Sequence, residues 1–277
     1  MKIIRKTDEL QNILHSVKDS RKSIGLVLTM GNIHNGHLSL IKKAQTDNDF
    51  VIATIFINPT QFNNKKDYNS YPQTLENDVE KLKSFNCDLL YLPEVKDIYP
   101  KGSIREKSIT KYRDILCDKF RPGHFDGVTT VVDTFFNIIK PNNSYFGEKD
   151  FQQIKYINEL VKIKNHKINV ISCLSVRDNL GMSLSSRNSK LNKDQLEIFK
   201  NLAKKISRLI VIIKQRKTKI ELENFKKDLS KINIDKIDYF EIRDEDNLSV
   251  TDDYAHSRLF IALYIDEIRI IDNFKLY

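Results

Sequence analysis

The sequence predicts an α/β fold, in which a Rossmann-like, doubly wound parallel sheet is followed by a second, smaller α+β domain. Short apolar runs alternate with amphipathic stretches from Ser23 onward, and residues 51–57 are apolar almost throughout, as in a strand buried on both faces. Beyond Arg187 the pattern changes to helices followed by closely spaced strands. These observations place a boundary near Val176, and we expect domains at residues 1–175 and 176–277.

The first domain is predicted to alternate strands and helices. Apolar runs predict strands at residues 23–30, 50–57 and 87–93, and amphipathic runs predict the intervening helices at 38–45 and 74–85. A second block predicts helices at 128–139 and 151–164 and strands at 144–146 and 168–174. Parallel strands need crossover connections, so we expect the helices to cover the sheet.

The second domain is predicted to be smaller and to combine helices with antiparallel strands. Its pattern indicates helices at residues 193–214 and 218–229, then strands at 238–243 and 259–271. No crossover helix separates the two strand regions. We therefore expect antiparallel pairing in this part of the chain.

The composition argues against several classes of protein. Cys87, Cys117 and Cys173 are far apart and form no CxxC pair, unlike the cysteines of a disulfide framework or a structural zinc site. The apolar runs are shorter than the ~20 residues that a membrane helix needs. The net charge is +9, but Lys and Arg are interleaved with Asp and Glu along the chain. We expect a cytoplasmic protein that binds neither nucleic acid nor a membrane.

The first candidate site is the segment TMGNIHNGH, between an apolar strand and a helix expected to open near Leu38. Gly31 and Gly36 permit close backbone approach, and a helix N-terminus supplies unpaired amides, so the segment predicts a phosphate site. It is not a Walker loop, because His37 and Leu38 stand where that loop has Lys and Ser or Thr. An alternative is that His34 and His37 only cap the helix or bind a metal, although the loop lacks a third ligand.

The motif HNGH resembles the HIGH signature of an adenylyl-transferring superfamily, and TMGNIHNGHLSLI resembles the version in the pantothenate synthetase family. Other blocks resemble that family in the same order. They are FINPTQF at 56–62, RPGHFDGV at 121–128, YFGEKD at 145–150 and SSRN at 185–188. The resemblance extends to Ile271-Asp272-Asn273 and so covers nearly the whole chain.

This resemblance implies an activity and its partners. The expected reaction is the ATP-dependent condensation of pantoate with β-alanine to pantothenate, through a pantoyl adenylate, with release of AMP and pyrophosphate. The resemblance also implies Mg²⁺ carried with ATP and a homodimer.

The resemblance further implies roles for individual residues. Pantoate and β-alanine are expected at Gln61, and pantoate at Gln153. Phosphate stabilisation is assigned to His34, His37, Lys149 and Arg187, with His37 as the proton donor. The residues expected to bind ATP are Met30, Gly31, Asn32, Ile33, His34, Asn35, Gly36, His37, Gly147, Glu148, Lys149, Asp150, Val176, Leu184, Ser185, Ser186 and Arg187.

Several structural alternatives stay open for these residues. Gln61 in isolation could belong to a solvated loop, and residues 147–150 to an exposed turn. The serine-rich segment is expected to be a mobile lid, an interdomain hinge or both. His124 is as compatible with a structural role as with an active-site role.

The sequence also departs from the family pattern. Leu28 replaces a proline, which we expect to loosen a rigid turn, and Gln73 replaces an arginine. The run Gly181-Met182-Ser183 replaces Gly-Leu-Ala, which is expected to add a hydroxyl beside the phosphate clamp.

Three other functions remain open. A nucleotidylyltransferase such as phosphopantetheine adenylyltransferase would share HxGH without the NPTQF and SSRN blocks. An aminoacyl-tRNA synthetase fragment would bind tRNA, and a basic binding module would bind nucleic acid in a salt-sensitive way without ATP turnover.

Overall fold

Apolar strands of the amino-terminal part of the chain assemble into a six-stranded parallel sheet. The structure, a computed structural model, describes residues 1–102, 105–216, 220–229, 232, 234 and 236–277. The chain divides into two compact units, Met1–Leu174 and Ser175–Tyr277.

The first unit contains strands and helices in alternation. Its strands are β1 (Lys2–Ile4), β2 (Ile24–Thr29), β3 (Phe50–Ile55), β4 (Leu89–Tyr91), β5 (Asn143–Gly147) and β6 (Asn169–Cys173). Its helices are α1 (Thr7–Asp19), α2 (Asn35–Asp47), α3 (Lys65–Asn69), α4 (Leu75–Ser84), α5 (Val95–Ile98), α6 (Leu116–Phe120), α7 (His124–Ile139) and α8 (Phe151–Ile163). Short 3₁₀ helices lie at Pro59–Gln61 and Glu148–Asp150.

The strand order of the first unit is β1-β4-β3-β2-β5-β6, with parallel pairing throughout. From β2 the chain proceeds through β3 to β4 on one side, and it returns to the other side at β5. The point where this direction changes lies between β2 and β5. In open α/β sheets the loops that follow such strands form the usual ligand crevice.

The core of this sheet follows from the apolar patterns in the sequence. Val27 and Ala53 of neighbouring strands are fully buried, and Ile41 and Ala44 of α2 belong to the same apolar cluster. Gly25 permits close packing here, because a Cβ at this position would lie 2.7 Å from the Asn48 side chain. The α2 helix is thereby held against the sheet directly after the candidate loop.

The second unit pairs two helices with a three-stranded antiparallel sheet. Its elements are α9 (Lys193–Arg216), α10 (Ile220–Leu229), β7 (Lys236–Asp244), β8 (Ser257–Ile265) and β9 (Ile268–Lys275), with a 3₁₀ helix at Asn188–Lys190. The strands pair in the order β7-β8-β9. Its core contains Leu202 and Ile206 of α9 with Phe240 and Ile261 of the sheet. The predicted fold class is confirmed.

Several predicted boundaries were wrong. The strand expected at 259–271 is a hairpin, which turns at Asp266 and Glu267 with a left-handed Asp266 (φ 48°). No glycine marks this turn, so the apolar pattern looked continuous. The α2 helix begins at Asn35 rather than near Leu38. The α7 helix begins at His124 rather than at 128, because left-handed Gly123 (φ 75°) precedes it.

Two other expectations concern single positions. Leu28 lies in regular strand β2 opposite Thr54, so the turn that its side chain was expected to loosen is not a turn. The predicted start of a helix at Thr218 falls outside the described residues, which resume at Ile220. Across the described ranges, none of the helices combines the length and apolar character required to cross a bilayer.

Candidate active site

The loop between β2 and α2 lies at the point where the strand order changes direction. Its backbone is left-handed at Gly31 (φ 84°) and Asn32 (φ 51°). A Cβ at Gly31 would lie 3.1 Å from an Asp78 carboxylate oxygen and 3.2 Å from an Ile55 methyl group. Glycine therefore suits this position for both conformation and space.

His34 and His37 cap the helix that follows them. The Gly36 amide donates to His34 Nδ1 at 3.1 Å, and the His34 amide donates to His37 Nδ1 at 3.3 Å. The two ring centroids are 4.0 Å apart. Because a backbone N–H can only donate, both Nδ1 atoms are acceptors, and each neutral ring carries its proton on Nε2. Both histidines thus cap the helix, and capping leaves an Nε2–H donor on each ring.

The surroundings of both histidines favour the uncharged ring. Burial lowers the pKa of His34 to about 4, with further contributions from the positive charges of Lys149 and Lys81. Burial also lowers the pKa of His37 to about 3, with contributions from His34 and the same two lysines. At neutral pH both rings are therefore hydrogen-bond donors without a net charge.

Two side chains of helix α4 hold the backbone of the candidate loop. Asp78, which is buried, accepts hydrogen bonds from the amides of Asn32 at 2.8 Å and Ile33 at 2.7 Å. Lys81 Nζ donates to the Ile33 carbonyl at 2.7 Å. Sequence reasoning missed both residues of α4. The available signal was a carboxylate at position 78 on the apolar stripe formed by Leu75, Val79 and Leu82.

Most amides of this loop have acceptors within the protein, which corrects the expectation of unpaired amides. Asp78 accepts from two of them, and the remaining acceptors lie in or beside the loop itself. The amides with internal acceptors belong to Gly31, Asn32, Ile33, His34, Gly36, His37 and Leu38. The candidate donors of this loop to a ligand are therefore the imidazole N–H groups rather than a set of unpaired backbone amides.

The structure brings Lys149 to the same region. It follows β5, the strand beside β2, in the 3₁₀ helix Glu148–Asp150. Its positive charge adds to the effect of burial in lowering the pKa of both histidines. A Cβ built on Gly147 would have no atom within 4 Å, so the surface above this residue is open. Glu148 accepts a hydrogen bond from the Ser172 hydroxyl at 3.2 Å.

Gln61 also lies next to the candidate loop. It ends the 3₁₀ helix Pro59–Gln61, after β3, and its Nε2 donates to the Met30 sulfur at 2.8 Å. Its Oε1 accepts from Asn58 Nδ2 at 3.1 Å. A thioether is a weak acceptor, so the Gln61 amide has a partner that a substrate oxygen can replace.

Gln153 is half-buried one turn into α8, whereas the neighbouring Gln152 is buried. The Gln152 amide accepts from the Cys117 amide and donates to the carbonyls of Tyr112 and Ile115. The two glutamines therefore differ, because Gln152 is buried and anchors a loop, whereas Gln153 is only half-buried.

The predicted phosphate clamp lies in the second unit, and its base is a small hairpin. The Leu184 amide donates to the Val176 carbonyl at 3.0 Å, and the hairpin turns at left-handed Gly181 (φ 85°). The Ser185 hydroxyl accepts from the Arg187 amide at 3.2 Å. Ser186 and Arg187 are partly exposed.

Ser183 does not add a hydroxyl to this clamp, contrary to expectation. Its side chain is buried and donates to Asp272 at 2.6 Å, while its amide donates to the other Asp272 oxygen at 2.7 Å. Arg177 Nη1 lies 3.1 Å from the same carboxylate. Asp272 therefore fixes the hairpin on β9, and the serine contributes to that anchor.

Comparison with known proteins gives consistent results over the whole chain. A family model described as pantoate-beta-alanine ligase matches residues 2–275. The pantothenate synthetase of Thermosipho africanus is 38% identical over 277 residues, which is 99% of each chain. That of Francisella tularensis subsp. novicida is 41% identical over 267 residues, which is 94% of each chain.

Solved structures agree with these relatives. The pantothenate synthetase from Thermus thermophilus matches with a TM-score of 0.90 at 32% identity, over 100% of both chains. The pantoate-beta-alanine ligase from Francisella tularensis matches with a TM-score of 0.84 at 38% identity, over 100% of this chain and 98% of that chain. That structure was solved in complex with beta-gamma ATP and β-alanine.

Proposed function

Since this chain belongs to the pantoate-beta-alanine ligase family, we propose that it forms pantothenate by adenylating pantoate at the His34–His37 loop. The overall activity, ATP-dependent joining of pantoate to β-alanine, follows from membership of the family. The pantoyl adenylate intermediate and the residues that act on it are our assignment.

The proposed reaction has two steps. A pantoate carboxylate oxygen attacks the α-phosphorus of ATP, and the bond to the β-phosphate oxygen breaks to release pyrophosphate. The amine nitrogen of β-alanine then attacks the acyl carbon, AMP leaves with the bridging oxygen, and the amine proton passes to solvent. Adenylation is useful because it gives a poorly reactive carboxylate a leaving group.

The observation that carries this proposal is the pair of neutral imidazoles beside Lys149. Negative charge is spread over the phosphoryl oxygens in the transition state, and preorganised donors stabilise it without forming a covalent bond. The Nε2–H groups of His34 and His37 are such donors. With a pKa of about 3, His37 acts here as a neutral hydrogen-bond donor rather than as a proton-donating imidazolium.

We assign pantoate to Gln61 and Gln153, and β-alanine to Gln61 once the adenylate has formed. The Gln61 amide offers both a donor and an acceptor, as a hydroxy acid requires, and holding the carboxylate near the phosphorus is chiefly a proximity effect.

The phosphates are assigned to both units. In the first unit we assign them to residues 30–37 and 147–150. The resemblance to the family also assigns them to residues of the second unit, namely Val176, Leu184, Ser185, Ser186 and Arg187. A guanidinium offers several donors in one plane, which suits departing pyrophosphate. We assign residues 1–175 to ATP and pantoate binding, and residues 176–277 to a lid.

Magnesium is proposed to arrive with ATP. Within the described part of the chain, no three His, Cys, Asp or Glu side chains are grouped to hold a metal ion. Mg²⁺ commonly binds through substrate phosphates, water and one or two carboxylates, and Asp150 beside Lys149 is a suitable carboxylate. Bound there, the ion would neutralise phosphate charge. We further propose a cytoplasmic homodimer.

Substrate omission and pyrophosphate exchange test the proposed function. Exchange of labelled pyrophosphate into ATP should require pantoate but not β-alanine, and sustained AMP release should require all three substrates. Exchange without pantoate, or exchange that requires β-alanine, would contradict a pantoyl adenylate.

A further inference from the structure

We propose that His124 and Gly127, in the first turn of α7, are positioning residues that hold Gln61 in the place where it binds pantoate. We call these two residues the Gln61 seat. This inference rests on the proposed role of Gln61 and adds two residues to which that proposal gives no part. It also explains the block RPGHFDGV, whose function the reaction scheme leaves open.

His124 holds the backbone of Gln61. Its Nδ1 lies 2.7 Å from the Gln61 carbonyl oxygen, and its Nε2 lies 3.1 Å from Arg121 Nη1. A carbonyl oxygen only accepts and a guanidinium only donates, so Nδ1 carries the proton and Nε2 accepts. Both ring nitrogens are thus engaged by the protein, and the ring is buried. This tautomer is opposite to that of His34 and His37 and suits positioning rather than contact with the reacting atoms.

Gly127 provides the space in which the Gln61 segment lies. A Cβ at this position would be 2.5 Å from the Thr60 carbonyl oxygen and 2.8 Å from the Gln61 nitrogen. Both atoms belong to the backbone, so a side chain could be accommodated only by displacement of the Pro59–Gln61 helix.

Asn58 connects this seat to the Gln61 side chain. It is 1% exposed, and its Nδ2 donates to the Gly127 carbonyl at 3.0 Å and to Gln61 Oε1 at 3.1 Å. Gln61 is therefore located relative to α7 at both its backbone and its amide. In the candidate loop, the amides of Asn32 and Ile33 are held by Asp78 of α4, an anchor that involves neither Gln61 nor α7. Damage to the seat should consequently affect pantoate more than ATP.

The test compares the KM values for pantoate and ATP in His124→Leu, His124→Asn and Gly127→Ala. Small displacements of a positioning group have large kinetic effects, so we expect His124→Leu and Gly127→Ala to raise the pantoate KM by about 10-fold or more. The ATP KM should stay near wild type. His124→Asn should recover much of the loss, because its amide supplies a donor near the position of Nδ1. Thr134→Ala, which removes only a local bond to Thr130 in α7, is the matched control.

A double-mutant cycle with Gln61→Ala decides how His124 acts. If His124 works through Gln61, His124→Leu should raise the pantoate KM no further in the Gln61→Ala background. The proposed role of the Gln61 seat would be overturned if His124→Leu and Gln61→Ala raised the pantoate KM additively. It would also be overturned if the α7 variants raised the KM of pantoate and the KM of ATP equally. If Gln61→Ala raises the pantoate KM but the α7 variants do not, the seat is wrong and the proposed role of Gln61 stands. If Gln61→Ala has no effect on the pantoate KM, both are wrong.

Discussion

His34 and His37 are both the cap of α2 and the proposed donors to phosphate. Their Nδ1 atoms serve the backbone, which leaves their Nε2 atoms for the ligand. A change at either position therefore affects the start of the helix as well as the chemistry. Substitutions that preserve one nitrogen and remove the other can separate these two roles.

We expect His37→Ala to slow pantoyl adenylate formation by about two orders of magnitude or more, the usual effect of removing one preorganised donor. His37→Gln should be less impaired, because its amide can place a donor near the position of Nε2. Rapid-quench measurement of adenylate formation checks both variants. Adenylate formation at a near-normal rate in His37→Ala would contradict the assignment.

The two imidazoles should titrate far below the ordinary histidine value of 6.5. Their pKa values are lowered in the folded state, so the unfolded chain takes up these protons first as the pH falls. Their contribution to the free energy of unfolding is complete above pH 6.5. It is lost as the pH falls from 6.5 through the folded-state pKa, which is about 4 for His34 and about 3 for His37. NMR titration of the ring protons of His34 and His37 checks this prediction. Midpoints close to 6.5 would contradict it.

Single residues were predictable from sequence only where a contiguous motif contained them. The HNGH motif identified His34 and His37 as candidates. It could not predict their pKa values, because these depend on burial and on the charges of Lys149 and Lys81, which lie far along the chain. The hydroxyl of Ser183 was assigned to the wrong partner for the same reason, since Asp272 lies 89 positions away.

At the scale of elements, α4 is the main support of the candidate loop. A buried carboxylate that accepts hydrogen bonds from two amides is costly to replace. Asparagine has only one acceptor oxygen, so one of the two amides is then left without an acceptor. We expect Asp78→Asn to lower the free energy of unfolding by about 1–3 kcal/mol and to slow adenylate formation. Urea denaturation and rapid quench measure the two effects.

Glu76→Gln is the matched control for this prediction, since Glu76 is an exposed acid in the first turn of the same helix. It should leave both the stability and the rate close to wild type. Equal behaviour of the two variants would show that Asp78 has no special part in holding the loop.

The central elements were predictable because their patterns are strong. The apolar runs of β2 and β3 and the amphipathic α8 lie close to their predicted positions. The contact of α4 with the loop was not predictable, because it joins residues 46 positions apart through one carboxylate. The hairpin between β8 and β9 was missed because its turn has no glycine.

At the scale of the whole molecule, the residues assigned to phosphate come from both units. Arg187 lies in Ser175–Tyr277, whereas His34, His37 and Lys149 lie in Met1–Leu174. If the second unit acts on phosphate, a charge alone should not replace the planar guanidinium. We expect Arg187→Lys to lower kcat/KM for ATP by about 10-fold or more, with little change in the free energy of unfolding.

Arg208→Lys is the control, because Arg208 is exposed on α9 and has no assigned role. Steady-state kinetics with varied ATP measure both variants. If both substitutions leave kcat/KM for ATP equally unchanged, Arg187 does not bind the phosphates through several N–H donors of its guanidinium.

The fold class and the family were both accessible from the sequence, because five blocks occur in the family order along nearly the whole chain. The family match favours a ligase over the adenylyltransferase, synthetase-fragment and binding-module alternatives. The charge of +9 does not distinguish these alternatives, since it says nothing about where the charges meet in space.

The internal hydrogen bonds of the candidate loop also affect the proposed binding of ATP. A loop whose amides already have acceptors does not need a ligand to become ordered. Nucleotide binding at this loop should therefore carry little entropic penalty. Hydrogen exchange at its seven amides with internal acceptors should be slow in the free enzyme. If ATP binds at this loop as proposed, it binds to a surface whose hydrogen bonds have already formed during folding.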